Sequence, residues 1–373
     1  MAVLAACGAI MAAQGLAEIQ ESTPKRSVPD IGPLGAVPEP PDNRITEAKV
    51  ALGKLLFFDK RLSGDGQFSC ADCHAPNKGW GTGEGISKGY PGTRHWRNSQ
   101  TVLNGAYYPK LFWGGESTSL ESQADSAITG NLAGNGDPEM IEERLAQIPE
   151  YVRMFKESFG DERPKYPHVL KAIATFERAV PVSKNVSFDR YRKGEKGAIS
   201  ERAKRGMEIF RGKANCIQCH NGPMITDFSF HNTGIPKNEL FEKDPHAQIA
   251  LRFQHYSRGV PEPEYRKADR DLGLYYTTQL PADRGRFRTP SLRELRYTAP
   301  YMHNGVFEVL EEVIDFYDRG GGDDPNKSPL LKPLNLSDEE KEALLEFLDS
   351  LSGDEILVDP PKLPDYAVMP EKK

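Results

Sequence analysis

Apolar residues recur at helical spacing in several separate stretches of this chain, and the alternation of half-buried strands is scarce. The first stretch opens at Thr46-Glu47 and runs through Val50, Leu52, Leu55 and Leu56 to about Asp59. Helical patterns return at 137–158, headed by Asp137-Pro138, and at 167–180, where Pro167 suits a first turn. Another begins at Ser200-Glu201 and continues through Met207, Ile209 and Phe210 to Gly212. The last two lie at 307–318 and 337–351, the latter opened by the capping box Ser337-Asp-Glu-Glu340. Gly79 to Gly92 is glycine-rich loop, and 221–290 reads as a long polar loop region. The pattern predicts a mainly α fold with long loops.

The first 17 residues are apolar and small, and end in Gly15-Leu-Ala17 before a polar stretch. They resemble the apolar core and cleavage site of a secretory signal whose basic start lies upstream. Leu4-Ala-Ala-Cys7 also resembles a lipoprotein box, but the apolar residues after Cys7 suit a signal better. Residues 18–44 follow as a proline-rich tether, so export to the periplasm is expected, with Cys7 removed alongside the signal.

Length and charge narrow the classes. The chain has 373 residues, room for two domains, with 34 glycines and 29 prolines to supply its loops. Its net charge of −6 argues against nucleic acid as an electrostatic partner. After the N-terminal segment there is no apolar run of about 18 residues, so no membrane span is expected.

Without Cys7, four cysteines remain, in two copies of one pattern: Cys70-Ala-Asp-Cys73-His74 and Cys216-Ile-Gln-Cys219-His220. C-x-x-C-H is the attachment signature of haem c. Two thiols a helical turn apart can add to the two vinyl groups on one haem edge, and the next histidine then projects to the iron. A zinc site would gather all four thiolates, yet the pairs lie in different halves of the chain; a thioredoxin motif needs no following histidine. Two covalent haems are expected. The chain then divides into residues 45–190 and 191–355, two cytochrome c-like haem domains each built as helix, haem motif, loop and helix, with 356–373 as a tail.

The sixth ligand of each iron decides between chemistry and electron carriage. Spacing alone does not choose among Met140, Met154, Met224, Met302, His95, His168, His231, His246, His255 and His303.

Several segments carry a resemblance. These are Arg97-Asn98-Ser99-Gln100-Thr101-Val102-Leu103-Asn104, Phe112-Trp113-Gly114-Gly115 and Phe230-His231-Asn232-Thr233-Gly234-Ile235-Pro236. With them stand Arg288-Thr289-Pro290-Ser291-Leu292-Arg293 and Thr298-Ala299-Pro300-Tyr301-Met302-His303-Asn304-Gly305-Val306-Phe307. Together with both haem motifs, over roughly 45–355, the set is similar to the di-haem cytochrome c peroxidase family. That resemblance implies two helical haem domains, a periplasmic location and a calcium ion between the haems. It also implies reduction of hydrogen peroxide at the N-terminal haem, with electrons passing through the C-terminal one. Asn98, Thr298 and Pro300 match the calcium ligands, Trp113 the tryptophan between the haems, and Gln123 a glutamine over the N-terminal haem. The peroxidase branch closes its second haem with methionine; here the matching place falls on Tyr317, as in the MauG-like branch. A tyrosinate favours oxidised iron, which suits oxidising equivalents shared between two haems. Without the resemblance, Tyr317 reads more simply as a core residue on the helix face of Leu310, Val313 and Ile314.

Three departures stand against the family pattern. The distal glutamate expected about twenty residues after Trp113 falls near Leu132 or Ala133, with Glu139 beyond it. The gating histidine of the peroxidase branch falls at about Tyr90, with His95 nearby. Trp-Asp-Gly-Arg is replaced by Trp113-Gly-Gly-Glu116. The resulting expectation is a MauG-like di-haem peroxidase taking its electrons from a small cytochrome, a cupredoxin or the aromatic residues of a protein substrate. The alternatives are a peroxide-detoxifying cytochrome c peroxidase and a non-catalytic electron-transfer or redox-sensing protein, the latter requiring both irons to be six-coordinate.

Overall fold

The computed structural model describes residues 28–90 and 92–367, without the side chain of Thr93. The signal-like segment with Cys7 lies outside the described residues. The longer helices, in chain order, are α1 (Glu47–Phe58), α2 (Leu120–Thr129), α3 (Pro138–Ala146), α4 (Pro149–Phe159) and α5 (Tyr166–Ala179). There follow α6 (Glu201–Arg211), α7 (Pro245–Ser257), α8 (Leu310–Asp318) and α9 (Asp338–Asp349). The fold is mainly α, as the pattern predicts. Among the described residues, strand structure is confined to two short antiparallel ribbons, Lys88–Gly89 with Thr93–Arg94 and Phe230–His231 with Phe287–Arg288. Among the described residues, no helix is long and apolar enough to cross a membrane.

Sequence signals set most boundaries. Thr46 Oγ1 accepts from Lys49 N–H at the start of α1, and Ser337 with Glu340 forms the capping box of α9. The single pattern at 137–158 is two helices, because Pro149 has no N–H to continue the ladder and instead opens a new first turn. The polar region 221–290 differs more from expectation, since it contains the thirteen-residue α7. This helix buries a narrow stripe, with Ala247, Ala250 and Leu251 against Ile86 and Trp96 and His255 one turn further on. Its start was nonetheless readable in Asp244-Pro245, where the aspartate accepts from His246 N–H at 2.8 Å.

The chain builds one arrangement twice. In the first half α1 crosses α5, and Gly53 lies so close to the Ala172 carbonyl and Phe176 that a Cβ would overlap them. In the second half α6 crosses α9, with Gly206 against the Ala343 carbonyl and Phe347 in the same relation. Each crossing anchors its own core, Leu52, Leu56 and Phe57 in one and Met207, Phe210 and Leu344 in the other. The loops repeat too. Asn104 and Glu294 both turn with positive φ (58° and 63°), each followed by a short 3-10 turn. Isolated bridges then pair Leu111 with Ser117 and Tyr301 with Phe307, immediately ahead of α2 and α8. Counted from their first residues, Leu120 and Leu310, Ala127 and Tyr317 hold the same place in these two helices. Counted from the crossings, Glu177 and Leu348 likewise correspond.

Both ends of the described chain act as straps rather than as a free tether and tail. Ile31 is fully buried in the second core, and Arg293 donates to the Gly32 carbonyl at 2.8 Å. The strap passes Tyr107, whose hydroxyl donates to the Gly35 carbonyl, and ends at buried Asn43, bonded to Glu121 and the Lys171 carbonyl. At the other end, Trp80 Nε1 donates to the Ile356 carbonyl at 2.7 Å, Val358 packs on the first core, and Arg61 donates to the Pro364 carbonyl. A proline-rich segment has few N–H donors but keeps every carbonyl, and side chains of the helical units supply the donors.

Replacing Gly206 by alanine forces α6 and α9 apart, and a loss of about 2 kcal/mol is expected from overpacking. Gly197→Ala, which meets open space, is expected to change stability by less than about 0.5 kcal/mol. Urea midpoints of the haem-loaded chain measure both.

Candidate haem centres

The two C-x-x-C-H segments share local geometry. In each, the histidine N–H donates to the carbonyl of the first cysteine at 2.9 Å, Cys70 for His74 and Cys216 for His220. Ser69 and Asp72 cap the first turn, Ser69 N–H donating to the Asp72 carboxylate at 2.8 Å. All four thiols are free, not joined in disulfides. Burial pushes Cys73 up to about 11 and Cys216 up to about 12, and Cys70 moves in the same direction. These are neutral thiols, unlike the low-pKa thiolates of redox or nucleophilic cysteines.

Both histidines are oriented from behind. His74 Nδ1 lies 3.3 Å from the Trp80 carbonyl and His220 Nδ1 3.2 Å from the Ile225 carbonyl. An Nδ1–H bonded to a carbonyl leaves Nε2 as the lone-pair nitrogen for a metal. Burial holds both imidazoles below the ordinary histidine range, His220 at about 4, which keeps them neutral and ready to ligate.

A cavity opens in front of His220 and Cys216. Phe210, Leu344 and Leu348 give it apolar walls, and Tyr317 from α8 stands among them. Two buried donors that reach it have no partner, Arg288 Nη1 and Gln100 Nε2. A flat apolar macrocycle bearing carboxylates fits this combination: apolar walls take the ring, and orphaned donors take the acid groups. Arg288 is further fixed by stacking 3.6 Å over the Tyr108 ring. Tyr317 faces Cys216 and Cys219; burial pushes its phenol well above the usual range, so only a facing cation would favour its ionised form. Beside it, His231 Nε2 pairs with Asp227 at 2.9 Å and is pushed up to about 10, first by Asp227 and then by Cys219. Among the described residues, Cys219, Asp227 and His231 form the only tight group of three such ligand types, but Cys219 already belongs to the haem motif.

Segment 98–101 runs between the two centres. The Gln100 carbonyl reaches His74 while its side chain enters the second cavity. Asn98, Thr298 and Pro300 line that same cavity, and Asn98 Nδ2 donates to the Glu84 carbonyl at 2.8 Å, which leaves Oδ1 as the acceptor end of its amide. Trp113 is buried, lines this cavity too, and donates from Nε1 to the Asn98 carbonyl at 3.0 Å. Its ring meets His303 edge-on, and His303 stacks on Phe287 with centroids 3.6 Å apart. The departure at Glu116 is compensated in place: Arg97 bonds Glu116 at 3.1 Å and Asp271 at 2.5 and 3.0 Å. Burial alone would raise Asp271, but Arg97 holds it at about 2. Asp271 carried no sequence signal, since it sits in the polar region 221–290.

Around the first centre, Gln123 lies half-buried on α2. Leu132 packs toward the Ile86–Trp96 cluster, Ala133 is exposed, and Glu139 is an exposed first-turn residue of α3 behind the Asp137 cap. The loop therefore delivers no carboxylate to the place the family pattern gives to glutamate. His95 is buried, stacked 3.8 Å on Trp96, with Nδ1 accepting from Arg97 N–H; burial, then the Arg97 charge, holds it at about 3. Other ligand candidates have structural work. His168 pairs with Asp161 and stacks on Phe159, His255 bonds Tyr276, and Met140 is exposed.

Comparison with known proteins gives one answer. A family model described as di-haem cytochrome c peroxidase matches residues 47–197. The chain is 52% identical over 364 residues, 97% of its length and 96% of the relative's, to the cytochrome-c peroxidase IdrP1 of Pseudomonas sp. (strain SCT). It is 36% identical, over 96% of its own length and 95% of the relative's, to the methylamine utilization protein MauG of Methylorubrum extorquens. Among solved structures, a MauG-like protein associated with microbial copper homeostasis superposes with a TM-score of 0.72 at 30% identity, covering 88% of this chain and 95% of the other. Two haem motifs on a twice-built helical unit and relatives of full length agree: the chain belongs to the di-haem cytochrome c peroxidase family.

Proposed function

We propose that this chain is a periplasmic peroxidase that reduces hydrogen peroxide at the haem held by Cys70, Cys73 and His74, with a MauG-like second haem held by Cys216, Cys219, His220 and Tyr317. The observation that carries this reading is the mismatch between the repeats. Where α8 offers Tyr317 to the second centre, α2 has Ala127, whose methyl group cannot ligate iron. His95, the nearest histidine in sequence to the expected gate, is engaged by Trp96 and the Arg97 N–H. One closed and one open iron is the division of labour that peroxide chemistry needs, and it disfavours a pure electron carrier.

Haem c, when bound, supplies a redox-active iron and a conjugated ring over which oxidising equivalents can be spread. His74 and His220 present Nε2 because their Nδ1 atoms are tied to backbone carbonyls. Gln123 offers a neutral amide to a peroxide on the open side. Trp113 is an oxidisable ring between the two centres, held by its bond to Asn98. Arg288 and Gln100 bind acid groups of the second haem. Asn98, Thr298 and Pro300 supply oxygen donors for a calcium ion, whose hard-cation chemistry suits amide and carbonyl oxygens. The signal-like N-terminus supports export.

The donor divides two versions of the proposal. Tyr317 favours MauG-like sharing of equivalents and a protein substrate. The 52% relative's designation as a cytochrome-c peroxidase favours a small cytochrome or cupredoxin. Optical and EPR spectra of the haem-loaded protein, before and after one equivalent of peroxide, test the reading: one high-spin and one low-spin ferric haem are expected, with the high-spin signal responding to peroxide. Two low-spin haems that ignore peroxide would overturn it.

Tyr317→Phe is expected to remove the low-spin EPR signal of the second haem, and Tyr317→Met to shift it and raise that haem's potential, read by redox titration. Ala127→His is expected to convert the first haem to low-spin and suppress its reaction with peroxide in stopped-flow. Chelation followed by metal analysis is expected to release one calcium per chain, and Asn98→Ala to weaken its retention.

A further inference from the structure

α5 carries a carboxylate that neither the haem attachment nor the proposed peroxide chemistry uses. Glu177 is only 3% exposed, makes no hydrogen bond among the described residues, and has Oε2 fully buried without a partner there. A buried carboxyl group without a donor is costly, and a fold retains one where it faces something the protein binds. The internal repeat indicates what that is. Registered on the crossings at Ala172 and Ala343, Glu177 corresponds to Leu348, which lines the cavity before His220. The second half thus fills its haem-facing position with an apolar side chain, and the first half fills it with an acid. Independently, the Glu177 carboxylate acts electrostatically on Cys70, the first attachment thiol of the first haem motif.

We propose that Glu177 is the proton-holding group of the first haem site, taking a proton from solvent when the iron ligated by His74 gains an electron from its donor and returning it when that electron leaves. The balance is one electron to ferric iron and one proton to the carboxylate, so no net charge is buried. The inference rests on a haem being held by Cys70, Cys73 and His74.

The surroundings suit this role. Burial pushes Glu177 up to about 8, against the pull of Arg178 and with the push of Glu121. Arg178 is itself committed to Glu121 by two bonds of 2.7 and 2.8 Å, so it does not fix Glu177 in the ionised state. The buried residues of α1, the helix that crosses α5, are Leu52, Gly53, Leu56 and Phe57, none of them titratable. α3 meets the far end of α5, where Glu142 accepts from Tyr166 N–H. Oxidised iron adds positive charge and favours the carboxylate; reduced iron favours the acid. The potential of the first haem should therefore fall as pH rises, between the two proton affinities of Glu177.

The test is a spectroelectrochemical titration of the haem-loaded full chain at several pH values, following the high-spin haem. The wild type is expected to lose up to about 59 mV per tenfold fall in proton activity, the one-electron limit. Glu177→Gln, which keeps size and polarity, and Glu177→Leu, which copies the second half, are both expected to flatten that slope. Exposed Glu139→Gln should leave it as in the wild type. In redox-difference infrared spectra, a carboxylic-acid carbonyl band is expected in the wild type and absent from both variants. An unchanged slope in Glu177→Gln, with two haems per chain by pyridine haemochrome, overturns the proposal alone. Fewer than two haems in the wild type overturns the haem reading and the proposal with it.

Discussion

Two helices can cross with their backbones in contact only where one of them has no side chain, and this constraint organises the whole molecule. Gly53 on Ala172 and Gly206 on Ala343 each fix a pair of helices that are distant in sequence. Once the pair is fixed, the residues next to the crossing must face one common space, and the haem motif that follows the first helix of each pair opens into it. The histidines then need only a carbonyl behind them, and Trp80 and Ile225 provide it from backbone turns of positive φ. The crossing thus determines where a haem fits before any residue touches it.

With the scaffold duplicated, function lies in the positions where the copies differ. Tyr317 stands in the second copy where the first has Ala127, a phenol against a methyl group. Trp113 against His303, which hold corresponding places after the Leu111 and Tyr301 bridges, sets an oxidisable indole beside an imidazole at the interface. Glu177 against Leu348 sets an acid against a hydrocarbon. Each of these exchanges occupies a position that the common architecture already fixes. Chemical asymmetry therefore carries little structural cost, except at Glu177, where desolvation of a carboxyl group is the penalty.

The two copies are held in register by connections that composition disguised. The proline-rich N-terminal segment and the C-terminal tail read as tether and tail because low apolar content and many prolines are the marks of exposed chain. Few apolar anchors, Ile31 at one end and Ile356 with Val358 at the other, suffice to dock them, since backbone carbonyls do the rest by accepting from Arg293, Trp80 and Arg61. The helix α7 was similarly hidden: its buried stripe is two alanines, Leu251 and His255, too weak an apolar period to stand out in a polar region. What it does is hold Ile86 and Trp96, and through them the loop that carries His95. Asp271 shows the same limit for electrostatics. Its partner Arg97 lies in a recognisable motif, but pairing across 174 residues leaves no mark in either local sequence.

The legible parts were those in which chemistry demands fixed spacing. Both attachment motifs, the capped helices and the set of segments shared with the family are local patterns, and the helical fold and family membership follow from them. The acid–base chemistry of the first centre was not legible for the opposite reason. The family's glutamate was sought at a fixed interval after Trp113, and the interval ends in a loop whose Leu132 turns into the packing around Trp96 while Glu139 stays in solvent. Glu177 is spaced from the haem motif by more than a hundred residues, within a helical run in which a glutamate reads as one more polar position. Only the shared register of the two crossings gives it a direction, because Leu348 occupies the matching place and lines the cavity before His220. A duplicated fold is in this sense its own control: where one copy keeps an apolar residue and the other keeps an unpaired acid, packing alone cannot account for the acid.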